Sequence, residues 1–341
     1  MSRIAVIGAG AWGTGLAIVL ARKGTRDLQH EVRLWANETD VCESIVSRRI
    51  NERFLPGFQL PESIVATSDL NTALDAAEIV VSVMPSQHCR VLFERMAPAL
   101  RPEMLFVSCT KGLEDRTLLR MTEVIGDVLR SRQFAPRVAA LSGPSFAKEV
   151  ARGDPTAVTV ASVDGEVTRA VQQAFNDSRF RVYTNDDVIG VELGGALKNI
   201  IAIAAGVCDG LGLGHNSVAA LITRGLAEVA RLVVACGGRL ETMSGLAGLG
   251  DLVLTCTGDL SRNRSVGVEL GKGRKLPDII ADMHGAVAEG VFTTKAAMGL
   301  ARQKHVEMPI TEQMFAILEN GKAPQQAIEE LMMRAARSEI Y

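Results

Sequence analysis

Residues 3–14, RIAVIGAGAWGT, decide the fold of the first half of this 341-residue chain. Residues 3–7 have the pattern of a short apolar strand, and a G-x-G-x-x-G turn follows before a helical pattern begins. In such a turn Gly8 permits the tight bend, Gly10 lets the backbone approach a pyrophosphate, and Gly13 lets the helix pack on the strand. The stretch therefore predicts a dinucleotide-binding strand–turn–helix unit.

The second strand pattern, residues 31–36, ends at the position that reads the ribose of a bound nucleotide. A carboxylate there would bind the ribose hydroxyls of NAD, whereas an arginine would suit the 2′-phosphate of NADP. The sequence offers Asn37, which is neutral, and Glu38, which comes one place late, while Arg33 lies along the strand. Both NAD(H) and NADP(H) therefore stay open as the cofactor.

Further apolar runs predict the rest of an α/β domain. Residues 64–67, 79–83 and 105–109 have the pattern of buried parallel strands, and 156–160 and 180–184 add later strands. Together they predict a Rossmann-like, doubly wound sheet. Ligands bind at the C-terminal ends of the strands in such sheets, so we expect the loops at 85–87, 110–112 and 142–145 to line one crevice.

From residue 188 onward the pattern is helical almost throughout. It is interrupted at 209–216, 237–238, 245–250, 258–263, 271–273 and Pro309. We predict a dinucleotide-binding domain at 1–187 and an all-α substrate and catalytic domain at 188–341, with a helix-start signal at 185–187. Residues 218–236 are apolar on most sides and are expected to form a central helix, and such helices also allow a homodimer.

The composition excludes several classes of protein. A hydrophobic content of 47% with 22% charged residues is typical of soluble globular proteins, and charged residues interrupt the apolar windows, so no integral membrane segment is expected. The 37 basic and 39 acidic residues form no long charged run, which does not indicate nucleic-acid binding. The six cysteines lack C-x-x-C spacing and predict free thiols rather than a metal site. No signal-peptide pattern is present, which favours a cytoplasmic location.

Residues 190–199, GVELGGALKN, carry one lysine into an apolar helical run. Gly194 and Gly195 lie beside Lys198 at helical spacing and leave little bulk around its ammonium, so we expect another group to approach this face closely. A lysine kept from water loses pKa readily and becomes a proton donor or acceptor near neutrality. The alternative is that Lys198 extends to the surface from a core helix.

Two further groups of polar residues in the second half are candidates for a functional site. Asp251 directly follows a glycine-rich turn, and residues 261–265, SRNRS, supply two guanidiniums, two hydroxyls and an amide. A pair of arginines with small polar donors suits a phosphate monoester. The alternative for the SRNRS segment is a solvated polar loop.

Ten ordered motifs resemble the NAD(P)-dependent glycerol-3-phosphate dehydrogenases of the soluble bacterial type over almost the full chain. They are IGAGAWGT (7–14), HEVRLWA (30–36), NERFLPG (51–57), VMPSQ (83–87), TKGLE (110–114), SGPSFAKEV (142–150), ELGGALKNIIAIAAG (192–206), GLGDLVLTC (248–256), SRNRSVG (261–267) and VAEGVFT (287–293). The resemblance implies reversible reduction of dihydroxyacetone phosphate, a phosphorylated triose, to sn-glycerol 3-phosphate with NAD(P)H. It also implies a role in supplying the backbone for glycerophospholipid synthesis.

The same resemblance implies roles for individual residues. Lys198 would be the catalytic acid/base, and Asp251 would orient it. With these two, the residues implied to line the substrate site are Lys111, Gly143, Ser145, Asn199, Thr255, Ser261, Arg262 and Asn263. Those implied to contact the nucleotide are Gly8, Gly10, Ala11, Trp12, Gly13, Asn37, Lys111, Ala147, Arg262, Val287 and Glu289.

Three positions depart from the family pattern. Asn37 stands where arginine or histidine is common, residues 25–29 look like a short insertion, and Phe54 stands where tyrosine is frequent.

There are two alternative functions. A hydroxyacid or 6-phosphogluconate dehydrogenase would act on a carboxylate substrate, and the GPSFA and SRNRS segments argue against it. A non-catalytic dinucleotide sensor would tolerate loss of the lysine or of SRNR, and both are intact.

Overall fold

The computed structural model describes residues 2–22, 30–283, 287–336 and 338–339. The chain begins with strands and helices in alternation. Its strands are β1 Arg3–Ile7, β2 Glu31–Trp35, β3 Ile50–Asn51, β4 Leu55–Gln59, β5 Ile64–Thr67, β6 Ile79–Ser82, β7 Leu105–Ser108, β8 Arg137–Ser142, β9 Thr156–Ala161 and β10 Phe180–Asn185. Eight of them form one sheet in the order β10-β9-β8-β7-β6-β1-β2-β5, and β3 and β4 form a separate hairpin.

Helices cover the sheet and then make up the rest of the described chain. In the first half they are α1 Ala11–Ala21, α2 Thr39–Arg48, α3 Leu70–Leu74, α4 Cys89–Met96, α5 Met121–Arg130, α6 Ala147–Arg152 and α7 Gly165–Phe175. In the second half they are α8 Val188–Gly210, α9 His215–Ala235, α10 Leu240–Met243, α11 Asp251–Thr257, α12 Arg262–Gly271, α13 Leu276–Ala281, α14 Glu289–Gln303, α15 Pro309–Asn320 and α16 Pro324–Met332. Short 3₁₀ turns at Ser86–His88 and Ala97–Ala99 flank α4, and a π-helical turn at Leu246–Gly250 leads into α11.

The predicted α/β fold with a helical second half is confirmed, but the sheet is not wholly parallel. Strand β9 runs antiparallel to β8, and β10 is parallel to β9. The reason lies in α6, which has only six residues and spans about 9 Å. It is too short to carry the chain back along a six-residue strand of about 20 Å, so β9 starts from the edge where β8 ends. The sequence patterns did not predict strand β8 or the β3–β4 hairpin.

The central helix of the second half is α8, not the predicted 218–236 segment. Residues 190–208 of α8 are buried, whereas α9 buries only part of its second half. Helix α8 can be enclosed because glycines let α12 touch its backbone: a Cβ at Gly206 would lie 2.0 Å from the carbonyl oxygen of Arg264, and one at Gly267 would lie 2.0 Å from that of Ile203. This contact holds the start of α12 beside α8.

Helix α8 also begins where the sequence predicted a helix start. Asp187 caps it, with its carboxylate accepting a hydrogen bond from the Gly190 N–H at 2.8 Å. The predicted boundary between residues 187 and 188 falls at this cap, and the division into two domains stays a prediction. Helix α8 is long and apolar enough to cross a membrane, but 89% of its apolar window is buried inside the protein. The predicted insertion at 25–29 lies outside the described residues.

All six cysteines are free thiols. Four of them are buried, and Cys42 and Cys236 are partly exposed. In the described ranges no group of three or more His, Cys, Asp or Glu side chains is arranged to hold a metal ion.

Candidate active site

The glycine loop after β1 has two glycines that the fold requires and one that leaves space. Gly8 has φ +120°, and a Cβ there would lie 2.4 Å from the carbonyl oxygen of Val83. A Cβ on Gly13 would lie 1.8 Å from the carbonyl oxygen of Gly8. A Cβ on Gly10 would meet nothing within 4 Å. Gly10 is also the residue before α1, so the open space lies at a helix N-terminus, as a pyrophosphate site requires.

The hairpin holds this loop through Asn51. Its buried side-chain amide donates to the carbonyl oxygen of Ala9 at 2.7 Å and to Thr14 Oγ1 at 2.8 Å, and its Oδ1 accepts from the Phe54 N–H. Trp12 lies one residue into α1, and its indole Nε1 is buried with no hydrogen-bond partner among the described residues. The loop is therefore fixed on the protein side while one donor beside it stays available.

The three loops that we expected to share a crevice do so. Lys111 Nζ donates to the Gly143 carbonyl oxygen at 3.0 Å, which joins the loops after β7 and β8. Gln87 Nε2, after β6, donates to the Leu113 carbonyl oxygen at 2.9 Å. All three loops follow the C-terminal ends of neighbouring parallel strands, the edge where such sheets bind ligands.

Lys198, Asp251 and Thr255 are buried and form a cluster with the partly exposed Lys111 of the crevice. Lys198 Nζ donates to Asp251 Oδ1 and, at 2.7 Å, to Thr255 Oγ1. Lys111 Nζ donates to the other carboxylate oxygen, Asp251 Oδ2, at 2.6 Å. Only 1% of Asp251 is exposed, and the π-helical turn before it sets the start of α11. The cluster joins the sheet half, through Lys111, to the helical half, through Lys198.

Burial dominates the chemistry of Lys198. Only 6% of the residue is exposed, so the side chain does not extend to the surface. Burial, opposed by the carboxylate of Asp251 and assisted by the charge of Lys111, lowers the pKa of its ammonium to about 8. An amine with this pKa can both give and accept a proton near neutral pH.

The prediction that another group approaches the Gly194–Gly195 face closely is confirmed, and the approaching groups belong to the protein itself. A Cβ on Gly194 would lie 2.8 Å from the Ala247 carbonyl oxygen, and one on Gly195 would lie 2.4 Å from Ser142 Oγ. Both glycines therefore serve close packing of α8 against the π-helical turn and the end of β8. The protein itself fills the space that the sequence pattern left open.

The SRNRS segment is the start of a helix, not a loop. Ser261 caps α12, its Oγ accepting a hydrogen bond from the Arg264 N–H at 3.2 Å. Arg264 is committed to Asp209 and Asp259, with N–O distances of 2.8 and 3.0 Å. The expected pair of arginines is therefore reduced to one. In the described part of the chain, the Arg262 side chain makes no ion pair or hydrogen bond.

Arg262 is exposed at the start of α12, near enough to the Glu289 carboxylate to feel its charge. Surrounding protein lowers the pKa of its guanidinium, and the nearby charge of Glu289 partly offsets this. Glu289, the first residue of α14, accepts hydrogen bonds from the backbone N–H of Ser86 at 3.1 Å and from its hydroxyl at 2.6 Å. Burial raises the pKa of Glu289, and the bonds from Ser86 oppose that rise. This contact is a second link between the two halves of the chain.

Two asparagines join the helices around Arg262. Asn263 Nδ2 donates to Asn199 Oδ1 at 2.9 Å, and Asn263 Oδ1 accepts from the Gly290 N–H at 2.9 Å. Asn199 follows Lys198 on α8, so these bonds hold α8, α12 and α14 together next to the lysine. The substrate candidates at 199 and 261–263 are thereby brought to the Lys198 cluster.

The remaining predicted residues lie around the same cleft. Ser145 Oγ donates to the Gly143 carbonyl oxygen at 2.9 Å. Ala147 begins α6 and packs against α1 near Gly15, where a Cβ would lie 3.8 Å from its side chain. Ala11 begins α1, Asn37 is exposed just beyond the end of β2, and Val287 is partly buried shortly before α14.

Two residues that position the site were not singled out from the sequence. Asn51 holds the glycine loop, and Ser86 receives Glu289 across the two halves. Asn51 opens the NERFLPG motif and Ser86 lies in VMPSQ, but neither has a spacing that predicts a partner 42 or 203 residues away.

Comparison with known proteins gives the same family for both halves. The family model described as the N-terminus of NAD-dependent glycerol-3-phosphate dehydrogenase matches residues 3–168, and the model of its C-terminus matches residues 187–329. A glycerol-3-phosphate dehydrogenase (NAD(P)+) from Koribacter versatilis (strain Ellin345) is 66% identical, with 100% of each chain covered. One from Acidobacterium capsulatum is 58% identical over 99% of this chain and 100% of its own.

A solved structure agrees with these sequence matches. The crystal structure of glycerol-3-phosphate dehydrogenase from Coxiella burnetii superposes with a TM-score of 0.91 at 43% identity, covering 98% of this chain and 99% of that one. The similarity therefore includes the sheet, the helical half and the cleft between them.

Proposed function

This chain belongs to the NAD-dependent glycerol-3-phosphate dehydrogenase family, and on that basis we propose that it reduces dihydroxyacetone phosphate to sn-glycerol 3-phosphate with NADH or NADPH. It is an NAD(P)-dependent oxidoreductase acting on a CH–OH group, and the reaction is reversible. The product supplies the backbone for glycerophospholipid synthesis. The single observation that carries the assignment of the chemistry is the buried Lys198 amine held by Asp251 and Thr255.

Lys198 is the acid/base in this proposal. Reduction of the substrate carbonyl develops negative charge on its oxygen, and the Lys198 ammonium donates the proton that neutralises it. In the reverse direction the neutral amine accepts the proton of the glycerol 3-phosphate hydroxyl, which the pKa of about 8 favours. General acid–base catalysis of this kind contributes about two to four decades in rate.

Asp251 and Thr255 orient the amine rather than exchange protons with the substrate. Asp251 binds Lys198 through one oxygen and Lys111 through the other, so its carboxylate is fixed from both sides. Thr255 Oγ1 receives a hydrogen bond from Lys198 and donates its own proton to the Asp251 carbonyl oxygen at 2.6 Å. The two bonds from Lys198 leave one N–H of its ammonium to donate to the substrate oxygen.

The substrate phosphate is assigned to the first turn of α12. Arg262 has no competing ion pair among the described residues, and a guanidinium can bind two phosphate oxygens at once. Arg262 also begins a ten-residue helix, whose N-terminal dipole favours an anion. The bond between Asn263 and Asn199 fixes this turn relative to Lys198, which sets the distance between phosphate and carbonyl.

The residues around the glycine loop fit a nicotinamide dinucleotide. The space at Gly10 and the unpaired Nε1 of Trp12 lie at the start of α1, and Asn37 lies at the end of the neighbouring strand. When bound, NAD(P)H supplies the hydride. Ala147, Val287 and Glu289 complete the proposed contacts, and the Glu289–Ser86 bonds keep the two walls of the cleft together.

The test is a substrate panel with purified protein. Initial rates of dihydroxyacetone phosphate reduction are measured separately with NADH and with NADPH, beside hydroxyacid substrates and 6-phosphogluconate. The proposal expects turnover with dihydroxyacetone phosphate and little with the carboxylates. Activity confined to a carboxylate substrate would favour the rival dehydrogenase class, and tight nucleotide binding without any turnover would favour a sensor.

We further propose that residues 1–187 and 188–341 act as a dinucleotide-binding domain and a helical catalytic domain, and that the enzyme works in the cytoplasm.

A homodimer is supported by α9, whose apolar first half is only partly covered, with Leu213 just before it 36% exposed. Light scattering at several protein concentrations measures the oligomeric state. A mass that stays that of one chain would exclude the dimer.

A further inference from the structure

The β3–β4 hairpin lies against the glycine loop and so borders the proposed nucleotide site. Asn51 in β3 binds Ala9 and Thr14 of the loop and helix that follow β1. Phe54, at the hairpin turn, is partly buried against the core that also contains α1. Arg53 lies between these two anchored residues, so its backbone position is fixed beside the loop.

The Arg53 side chain reaches the start of α2. Its Nη1 lies 3.4 Å from Asp40 Oδ2, in the first turn of that helix, and its guanidinium carbon lies 5.1 Å from the centre of the Phe54 ring. Helix α2 follows β2 after Ala36, Asn37 and Glu38, and no side chain caps its N-terminus. The guanidinium is therefore close to the C-terminal end of β2, where dinucleotide-binding folds read the ribose 2′ position.

Two other arginines of this region, Arg33 and Arg49, are bound to backbone carbonyl oxygens. Arg33 binds Glu31 and also the carbonyl oxygens of Thr72 and Asp75. Arg49 binds the carbonyl oxygens of Pro61 and Ile64. Neither is available to an incoming anion without the loss of these bonds.

Arg53 is held only loosely by comparison. Within the described ranges Asp40 is its only hydrogen-bond acceptor, at 3.4 Å, and the side chains of this pair are 42% and 65% exposed. An ion pair this exposed contributes little to stability. A phosphate can replace the Asp40 carboxylate and gain the two-pronged geometry that guanidinium favours.

We propose that Arg53 binds the 2′-phosphate of NADP(H) and determines how well this enzyme uses NADPH relative to NADH, an inference that rests on the proposed function. Asp40 competes with the phosphate for Arg53, and Glu38 adds a second carboxylate that disfavours the phosphate but suits free ribose hydroxyls. The neutral Asn37 contributes no cation. One site thereby accepts both cofactors, with the balance set by the Arg53–Asp40 pair.

Nucleotide affinity measured by titration calorimetry tests this assignment without relying on turnover. The titrants are NADH, NADPH and 2′-AMP, and the proteins are the unaltered chain, Arg53→Met, Asp40→Asn and the control Arg48→Met. Arg48 forms an exposed ion pair with Glu52 near the other end of α2, so it matches Arg53 in charge and setting. Methionine keeps much of the length of the side chain that packs on Phe54.

Arg53→Met is expected to weaken NADPH and 2′-AMP binding about tenfold and NADH binding less than twofold, because only the charge-assisted phosphate bonds are lost. Asp40→Asn is expected to strengthen NADPH binding severalfold. Arg48→Met should leave the affinities for NADH and NADPH unchanged. Equal weakening of NADH and NADPH by Arg53→Met, an unchanged NADPH affinity, or no measurable NADPH binding by the unaltered chain would each overturn the assignment.

The same protein samples separate this inference from the proposed function. Reduction of dihydroxyacetone phosphate with NADH is measured on each variant and should persist in Arg53→Met. If the unaltered chain fails to reduce this substrate, the proposed function fails while the ratio of nucleotide affinities still decides the role of Arg53. If turnover persists and the ratio does not move, only the assignment of Arg53 fails.

Discussion

Lys111 and Lys198 bind opposite oxygens of the same buried carboxylate, that of Asp251. Two ammonium groups thus share one negative charge, and the cluster carries an excess positive charge in a region with little water. Lys198 is the more buried of the two, with 8% of its side chain exposed against 18% for Lys111. The excess is relieved most readily when Lys198 gives up its proton, which is the state that alcohol oxidation needs.

Replacing Lys198 by alanine should remove turnover and leave nucleotide binding intact. The glycine loop proposed to bind the cofactor is built by other residues, so the dissociation constant of NADH should change less than about twofold, while kcat falls by about two to four decades. Calorimetry and initial rates measure the two quantities. Lys295→Ala, which removes an exposed lysine paired with Asp115, is the control. Near-normal kcat in Lys198→Ala would remove the lysine from the mechanism.

The pH dependence should follow the Lys198 pKa of about 8. Oxidation of glycerol 3-phosphate needs the neutral amine, so kcat/KM for that direction should rise as the pH passes upward through about 8. Reduction of dihydroxyacetone phosphate needs the ammonium, so its kcat/KM should fall over the same range. Rates measured in both directions across pH 6 to 10, about two units on each side, give the two profiles.

Lys111→Met should move both profiles to higher pH. The variant removes a positive charge that lowers the pKa of Lys198 and leaves Asp251 to stabilise a single ammonium. The KM of the substrate is also expected to rise, since Lys111 lines the cleft, but a change in KM alone does not move the midpoint. An unshifted midpoint in a folded variant would show that Lys111 does not tune Lys198.

Arg262 and Arg264 are close in sequence and should behave differently. Arg262 has no ion pair among the described residues, so Arg262→Ala should raise the KM of dihydroxyacetone phosphate about ten- to a hundredfold with little loss of stability. Arg264 is bound to Asp209 and Asp259, so Arg264→Ala should lower the melting temperature and change KM less. Equal effects of the two variants on KM would contradict the assignment of the phosphate to Arg262.

Local patterns in the sequence predicted the elements but not all of their neighbours. The strand at 64–67 and the Asp187 helix cap were predicted because their signals lie within a few residues. The antiparallel direction of β9 was not predicted, because it depends on the short length of α6. The two glycines before Lys198 signalled close approach correctly, but periodicity alone does not say whether protein or ligand fills the space.

The candidate site shows the same limit. A motif supplies a residue type, and the fold decides whether that residue is free to bind. Arg262 and Arg264 look equivalent in the SRNRS segment, and only the positions of Asp209 and Asp259 distinguish them. Asn51 and Ser86 have their partners far along the chain, so no spacing rule could have identified what they bind.

The glycine loop allows a test that separates the needs of the fold from those of the ligand. A Cβ at Gly10 meets nothing within 4 Å, and the residue has φ −65°, which alanine adopts without strain. Gly10→Ala should therefore cost less than about 1 kcal/mol of unfolding free energy. It should nevertheless weaken binding of NADH and NADPH about tenfold or more, because the added methyl group occupies the space that the pyrophosphate needs.

Gly13→Ala should instead act mainly on the stability of the fold. Its Cβ would lie 1.8 Å from the Gly8 carbonyl oxygen, which cannot move aside without displacing the strand-to-helix turn. Overpacking of this kind costs about 1–3 kcal/mol, so the melting temperature should fall measurably even with no nucleotide present. Thermal unfolding without nucleotide, beside calorimetric titration, measures both effects for the two variants. If Gly10→Ala bound NADH and NADPH as tightly as the unaltered chain, the open space at Gly10 would not be where the nucleotide backbone lies.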